Sequence, residues 1–396
     1  MDSRQPDLLG TWQAVDDAWA PAFDEAFRLR YPDSAGRGLA YSHFFVSWSG
    51  FRTNPVQRPF GWHTCYDHFR ESFGPQMARW NDEQYWMYNH PSPTGIGNEW
   101  GLVWEDNTHY FEILNHMVID RAYFPVAIQV PTERNDCSHF IEQWFPFDYG
   151  NRNAASVVLN SINSDGRKTG EVMDWTVSPY DWSSYRPQED DYRRPDGTMN
   201  HTKFRIVDIK SICNVLTRED LQQAFERCRA GLDTIVCAYE HDFRDRKETI
   251  MELMIAPIFD LARSYPEVEI HYANARTAAR ATLGLDADTQ PPIRLELAAH
   301  EREGLRIATS RAPFGPMPYV VVYDPAAESY VHLPVARTGQ FTWRLPAIPL
   351  PPNAVIGIAA NDRAGNTAVR RWQLDAAGKV PVRELPEDER PNPGVI

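Results

Sequence analysis

Residues 234–284 constrain this chain more than any other stretch. An apolar run, Ile235-Val236-Cys237-Ala238-Tyr239, stops at Glu240-His241-Asp242. In the segment that follows, Ile250, Leu253, Met254, Ile258 and Leu261 recur at helical spacing, and a second short run, Val268-Glu269-Ile270-His271-Tyr272, comes next. Strand, polar tip, helix, strand is the pattern of a βαβ unit, which requires a parallel sheet. In barrels built from such units, polar residues at the carboxyl end of a strand stand where the active site is assembled. His241 is therefore the first candidate functional residue. Pro257 predicts a kink in the intervening helix, because it removes a backbone donor.

The rest of the first 285 residues alternates in the same way. Strands are predicted over 10–15, ending at Asp16-Asp17, and over 39–48, 83–90, 126–130 and 203–209. Helices are predicted over 18–30, 107–122 and 137–145, with one more running from an N-cap at Thr217 through Arg229. Residues 61–68 read as loop-like. Residues 150–200, rich in Asp, Ser, Tyr, Trp and Pro, read as a long ordered loop over the site, since Trp175, Tyr180, Trp182 and Tyr185 do not suit a disordered segment. The expectation is an α/β fold, a distorted (β/α) barrel over 1–285, with a doubly wound open sheet as the alternative. Near 286–292 the character changes to short β-type runs separated by turns. That predicts a small antiparallel, immunoglobulin-like β-sandwich over 286–375, followed by an exposed Pro/Glu-rich tail over 376–396.

Composition removes several function classes. The formal net charge is −14 and the Lys and Arg residues do not cluster, so a nucleic-acid backbone has no basic face to meet and an anionic membrane surface is disfavoured. The five cysteines include no C-x-x-C pair, which argues against a disulfide framework or a Cys-based zinc site. No run of 18 apolar residues occurs, and the chain does not open on a basic region followed by an apolar one, so a cytoplasmic protein is expected. The 13 Trp and 17 Tyr residues supply flat faces of the kind that stack on sugars as well as fill cores. No G-x-S-x-G, Walker, G-x-G-x-x-G or H-E-x-x-H motif is present.

In chain order, Val15-Asp16-Asp17, the His43-Phe44-Phe45-Val46 run, His90-Pro91 and Glu240-His241-Asp242 resemble the motifs of the polysaccharide deacetylase family. Over residues 10–284 the chain looks like a divergent member of this nodulation-type deacetylase homology group, whose fold is a (β/α) barrel. The resemblance implies a metal-dependent hydrolase of a carbon–nitrogen (amide) bond that deacetylates an amino sugar or a related N-acyl compound, with zinc as the divalent ion. It implies Asp16 as general base and His241 as general acid, oriented by Asp242 or Asp245. It implies Asp17 and His90 as metal ligands. Trp86 stands where the family has its first ligand histidine, and an indole offers a metal no lone pair. His63 and His68 are the nearest candidates for a third ligand, with Asp67 placed to hold one imidazole. Gln129 stands where the family's Arg is sought, with Arg134 close by. Trp86, Glu133, Trp144, Asp148 and Asp242 are the candidate substrate contacts. His43, among apolar neighbours, reads as a satisfied core histidine. The runner-up is a deacetylase-like barrel with a degenerate metal site that serves as a carbohydrate-binding or repurposed biosynthetic protein. A glycosidase with carboxylates drawn from Asp16, Glu133, Asp148 and Glu240 ranks last. The expected partner is a small-molecule or carbohydrate substrate, and the β-sandwich is the surface for any homo-oligomer.

Overall fold

The structure is a computed structural model that describes residues 11–47, 62–88, 108–129, 138–151, 153, 175–209, 215–239, 247–285, 291–300 and 304–391. The first part contains α1 (Trp12–Trp19), α2 (Glu25–Arg28), β1 (Ser42–Ser47), α3 (Trp62–Trp80), β2 (Glu83–Tyr88), α4 (Thr108–Arg121), β3 (Ala127–Gln129), α5 (Ser138–Trp144), β4 (Phe147–Asn151), β5 (Thr202–Arg205), β6 (Val207–Asp208), α6 (Arg218–Arg229), β7 (Ala238–Tyr239), α7 (Lys247–Ile250), α8 (Ala256–Ala262) and α9 (Ala275–Thr282). The second part is all β: β8 (Leu295–His300), β9 (Gly304–Thr309), β10 (Tyr319–Asp324), β11 (Ser329–His332), β12 (Ala336–Gly339), β13 (Thr342–Arg344), β14 (Val355–Asn361), β15 (Thr367–Leu374) and β16 (Pro381–Glu384).

The predicted mixed α/β class is present as a parallel sheet of order β1-β2-β3-β4-β5 and a separate antiparallel sheet domain. Each parallel strand pairs with the next in sequence. After one residue the β5 strand resumes as β6, which pairs in parallel with β7. The sheet curls: Phe44 on β1 and Tyr149 on β4 have ring centroids 6.1 Å apart although β2 and β3 lie between them. In a flat sheet those strands would be separated by about 14 Å. Among the described residues β7 and β1 do not pair, so closure of the sheet into a barrel is not seen.

The two faces of the sheet separate cleanly by parity. Phe44, Tyr85, Ala127, Phe147, Tyr149 and Phe204 share one cluster on the concave face with Ala275 and Ala279 of α9. Trp86 and Ile128 belong instead to the cluster formed with α4, on the convex face. Alternation along each strand fixes both sets at once.

Several local expectations are corrected. The segment 10–15 is not a strand ending at the two aspartates but the start of helix α1. Thr11 caps it, its side chain accepting from Ala14 N, and Trp12, Val15 and Trp19 fall on one face against Phe69 and Phe45. Residues 62–80 are helix, where 61–68 read as loop-like. Trp62, Tyr66, Phe69, Phe73, Met77 and Trp80 make the buried stripe of α3. The run 268–272 forms no strand. Its backbone groups bond to the 33–34 turn, with Ser34 N on Ile270 O at 2.8 Å and Tyr272 N on Asp33 Oδ2 at 3.1 Å. The kink expected from Pro257 takes the form of a π-helical turn over Met251–Ile255, a wider turn that absorbs the missing donor.

The β-sandwich has sheets β11-β10-β14-β15-β16 and β12-β13-β9-β8, with Trp343, Ile307, Ile356 and Ile358 between them. It is not a loose appendage. The outer face of its larger sheet packs on α4, so that Tyr319, Val321 and Ala359 share a core with Ile113, Met117 and Val118. Gly357 is required there, because a Cβ at that position would lie 2.6 Å from Val118 Cγ1. Part of the expected tail is instead strand β16. Leu385 after it is buried, and Arg371 donates to Ile119 O at 2.6 Å and Glu389 O at 2.7 Å, so residues 385–390 are strapped across α4.

Candidate functional site

One end of the curved sheet is covered. The first turn of α9 lies over the amino ends of the parallel strands: Ala275 N donates to Ser42 Oγ at 2.8 Å, Arg276 N to the Tyr85 hydroxyl at 2.9 Å, and the Tyr149 hydroxyl to Ala275 O at 2.5 Å. Burial pushes the pKa values of both phenols well above the ordinary value, so they stay protonated donors. The sandwich hairpin at 361–366 closes the same end. Asn361 Nδ2 donates to Pro125 O at 2.8 Å and Trp144 O at 3.0 Å, just ahead of β3 and β4. Arg280 of α9 donates to Ala364 O at 2.7 Å and Asn366 Oδ1 at 2.8 Å.

The opposite end carries polar side chains. Gln129 is the last residue of β3, pairs in register with Met87, and is 2% exposed. Two residues beyond Ala127, it takes the concave face by alternation, and among the described residues its Nε2 has no hydrogen-bond partner. Asn151, at the end of β4, donates to Pro179 O at 2.8 Å and accepts from Asn153 N at 3.0 Å. Asp208 ends β6 and is fully buried. In sequence, His90 follows the last residue of β2 by two positions, Glu133 follows β3 by four, and His241 and Asp242 follow β7 by two and three. These four candidates, with Arg134 and Asp245, lie outside the described residues.

The remaining candidates are not brought together. Asp16 and Asp17 sit on α1, in the helical layer on the convex side of β1. Asp16 Oδ1 is 2.6 Å from His68 Nε2 on α3, and Trp12 stacks on that imidazole with centroids 3.9 Å apart. Asp17 is exposed and accepts from Gln13 Nε2 at 2.8 Å. His63 is buried in the first turn of α3. Asp67 is held by Arg121, with Nη2 to Oδ2 at 3.0 Å, and so serves the α3–α4 contact. His43 is the satisfied core histidine expected, its Nε2 3.1 Å from Asp82 Oδ2.

Trp86 and Trp144 do not line a subsite. Both are buried in the core around α4, where Trp86 meets Tyr110 and Phe145, and Trp144 meets Tyr319 edge-on at 5.2 Å. Asp148 is turned to the convex side, fully buried, with Oδ2 2.5 Å from Lys203 Nζ. Tyr192, from the 175–201 segment, lies over that ammonium at 4.7 Å. The described part of the expected long loop is therefore ordered. It is pinned by Trp182, whose Nε1 donates to Asp220 O at 2.7 Å; Trp175 and Tyr192 roof the convex face, while Tyr180 and Trp182 lie over Arg205 at the end of β5.

The donor set described does not fit the implied metal. Asp17 faces solvent on the wrong side of the sheet and His68 is committed to Asp16. Among the described residues no three His, Cys, Asp or Glu side chains are placed to hold an ion, whereas a catalytic zinc takes three protein ligands. Sequence reading missed Asp208 and the burial of Gln129, because a polar residue ending a short strand gives no signal beyond its position. No helix among the described residues is long and apolar enough to cross a membrane. No family model and no curated protein matches this chain.

Proposed function

We propose that the chain is a deacetylase-like α/β protein that takes a carbohydrate or related N-acyl compound at the carboxyl ends of its parallel strands. In this reading it works without the metal centre implied through Asp17. One observation carries it: α9 and the 361–366 hairpin cover the amino ends, and Gln129 and Asp208 stand at the opposite end. Ligand sites of open or closed parallel sheets lie at that end. His241, two residues past β7, is the acid–base group of this reading, and Asp242 orients its imidazole. Asp16 leaves the set, since its partner is His68 on the far side of β1.

Metal-dependent deacetylation is the second reading, favoured by His90 and His241 standing directly after strand ends. Titration calorimetry with N,N′-diacetylchitobiose, with and without chelator, together with an acetate-release assay, separates the two. Saturable binding that chelator leaves unchanged and His241→Ala weakens is expected. Binding or acetate release that disappears with chelator and returns with zinc would establish the second reading. No binding of any N-acylated sugar would refute both.

A further inference from the structure

We propose that the Gln129 carboxamide is the specificity-determining donor of the strand-end site, and that it recognises a neutral oxygen acceptor, such as the acyl carbonyl of an N-acylated sugar. This deepens the reading above and rests on it. Three facts meet at this residue. It ends β3, at the end of the sheet opposite the one that α9 and the sandwich hairpin cover. Alternation from Ala127 turns it to the concave face, away from the α4 core that takes Ile128. It is 2% exposed, yet its Nε2 has no acceptor among the described residues.

Buried amide donors are nearly always paired, because an orphaned donor keeps its full desolvation cost. A carboxamide also carries no charge. Its neighbour in register is Met87, and the nearest residue of its own face on β3 is Ala127. The basic side chains of β5, Lys203 and Arg205, are engaged by Asp148 and by Asp220, Tyr180 and Trp182. Among the described residues a carboxylate or phosphate would therefore meet a neutral donor and a thioether, whereas an acyl or hydroxyl oxygen would be matched. A site built to hydrogen-bond one ligand atom rejects analogues that lack it, since its own polar group is then left bare.

The test uses the full chain and N,N′-diacetylchitobiose as probe. Gln129→Met keeps the length of the side chain and removes both polar atoms. It is expected to raise the melting temperature of the free protein and to weaken probe binding at least about tenfold. Gln129→Glu keeps the size but turns the donor into an acceptor, and is expected to weaken binding as much. A Gln129→Met protein that binds as tightly as wild type would overturn the assignment while leaving the strand-end site standing. A lower melting temperature in Gln129→Met would overturn it as well, by showing the amide to be a structural group. Absence of binding by the wild type refutes the underlying reading, and is recognised because it appears before any substitution.

Discussion

Arg28→Met removes the guanidinium that ties four segments together. Its Nε donates to Ala22 O at 2.5 Å and its Nη1 to Leu39 O at 2.7 Å. The fork grips Asp82 at 3.0 and 2.7 Å, with both side chains fully buried. Asp82 also accepts from Tyr41 N at 2.8 Å and pairs with His43. Burial by itself raises the Asp82 pKa. The hydrogen bond and charge of His43, with the Arg28 guanidinium, more than offset that and hold it below the ordinary 3.8. Removing one partner of a buried pair costs about 3–5 kcal/mol, against a total stability of about 5–15 kcal/mol. For a domain of this size that is a fall of roughly 10 °C in melting temperature. Thermal unfolding of Arg28→Met, Asp82→Asn and the double variant measures it. The double variant is expected to be more stable than Arg28→Met alone, because no uncompensated carboxylate remains. The sign with pH follows from the depressed pKa. The Asp82 contribution is present above the ordinary carboxylate range and is lost as pH falls below 3.8. The deficit of Arg28→Met should therefore narrow in acid. Two single-variant costs that simply add in the double variant would refute the coupling.

Gly365→Ala should destabilise by about 1–3 kcal/mol, because φ is +74° and the new Cβ would lie 2.5 Å from the Phe147 ring; chemical denaturation reads this. Cys65 and Cys237, whose thiols burial pushes up to about 12, should be alkylated at pH 8 roughly a thousandfold more slowly in the folded than in the unfolded chain, by site-resolved mass spectrometry. Rapid labelling of either in the native state would show that its thiol is not held up by its surroundings. His68→Ala should cost about 1 kcal/mol or less and leave probe binding unchanged, since the Asp16–His68 pair is partly solvated and lies on the convex layer. Loss of binding in that variant would return Asp16 to the site.

Much of the architecture was legible because it rests on periodicity. The β1 and β2 runs, the 107–122 helix, the Thr217 cap, and the antiparallel second part all read correctly from spacing and capping chemistry. The α3 stripe was equally present in the spacing of Trp62, Tyr66, Phe69, Phe73, Met77 and Trp80. It was obscured by Gly74-Pro75 and by histidines that invite a loop reading. What the sequence did not carry was tertiary. Nothing local to 10–17 separates a short apolar strand from a capped helix turn, and the aspartates change sides of the sheet with that choice. Likewise 268–272 has the composition of a strand, but Ser34 and Asp33 take its hydrogen bonds. The α9 cover, formed by an alanine-rich helix of only two turns, becomes visible only once Tyr85 and Tyr149 are seen to reach it.

Position 86 shows why the implied metal motif cannot be restored by a single change. Phe44, Tyr85 and Tyr149 fix which parity of each strand faces the concave side, and residue 86 has the other parity. A histidine introduced by Trp86→His would enter the cavity left among Tyr110, Phe145 and the α4 residues, facing away from the strand-end site. Replacing a fully buried Trp by a smaller polar ring loses apolar contact and buries an unpaired donor, a cost of about 3–5 kcal/mol. The variant is expected to unfold at lower temperature and to take up no more zinc than wild type by elemental analysis. If Trp86→His instead bound an additional equivalent of zinc at unchanged stability, the strand parity described here would be wrong, and with it the assignment of Gln129 to the concave face.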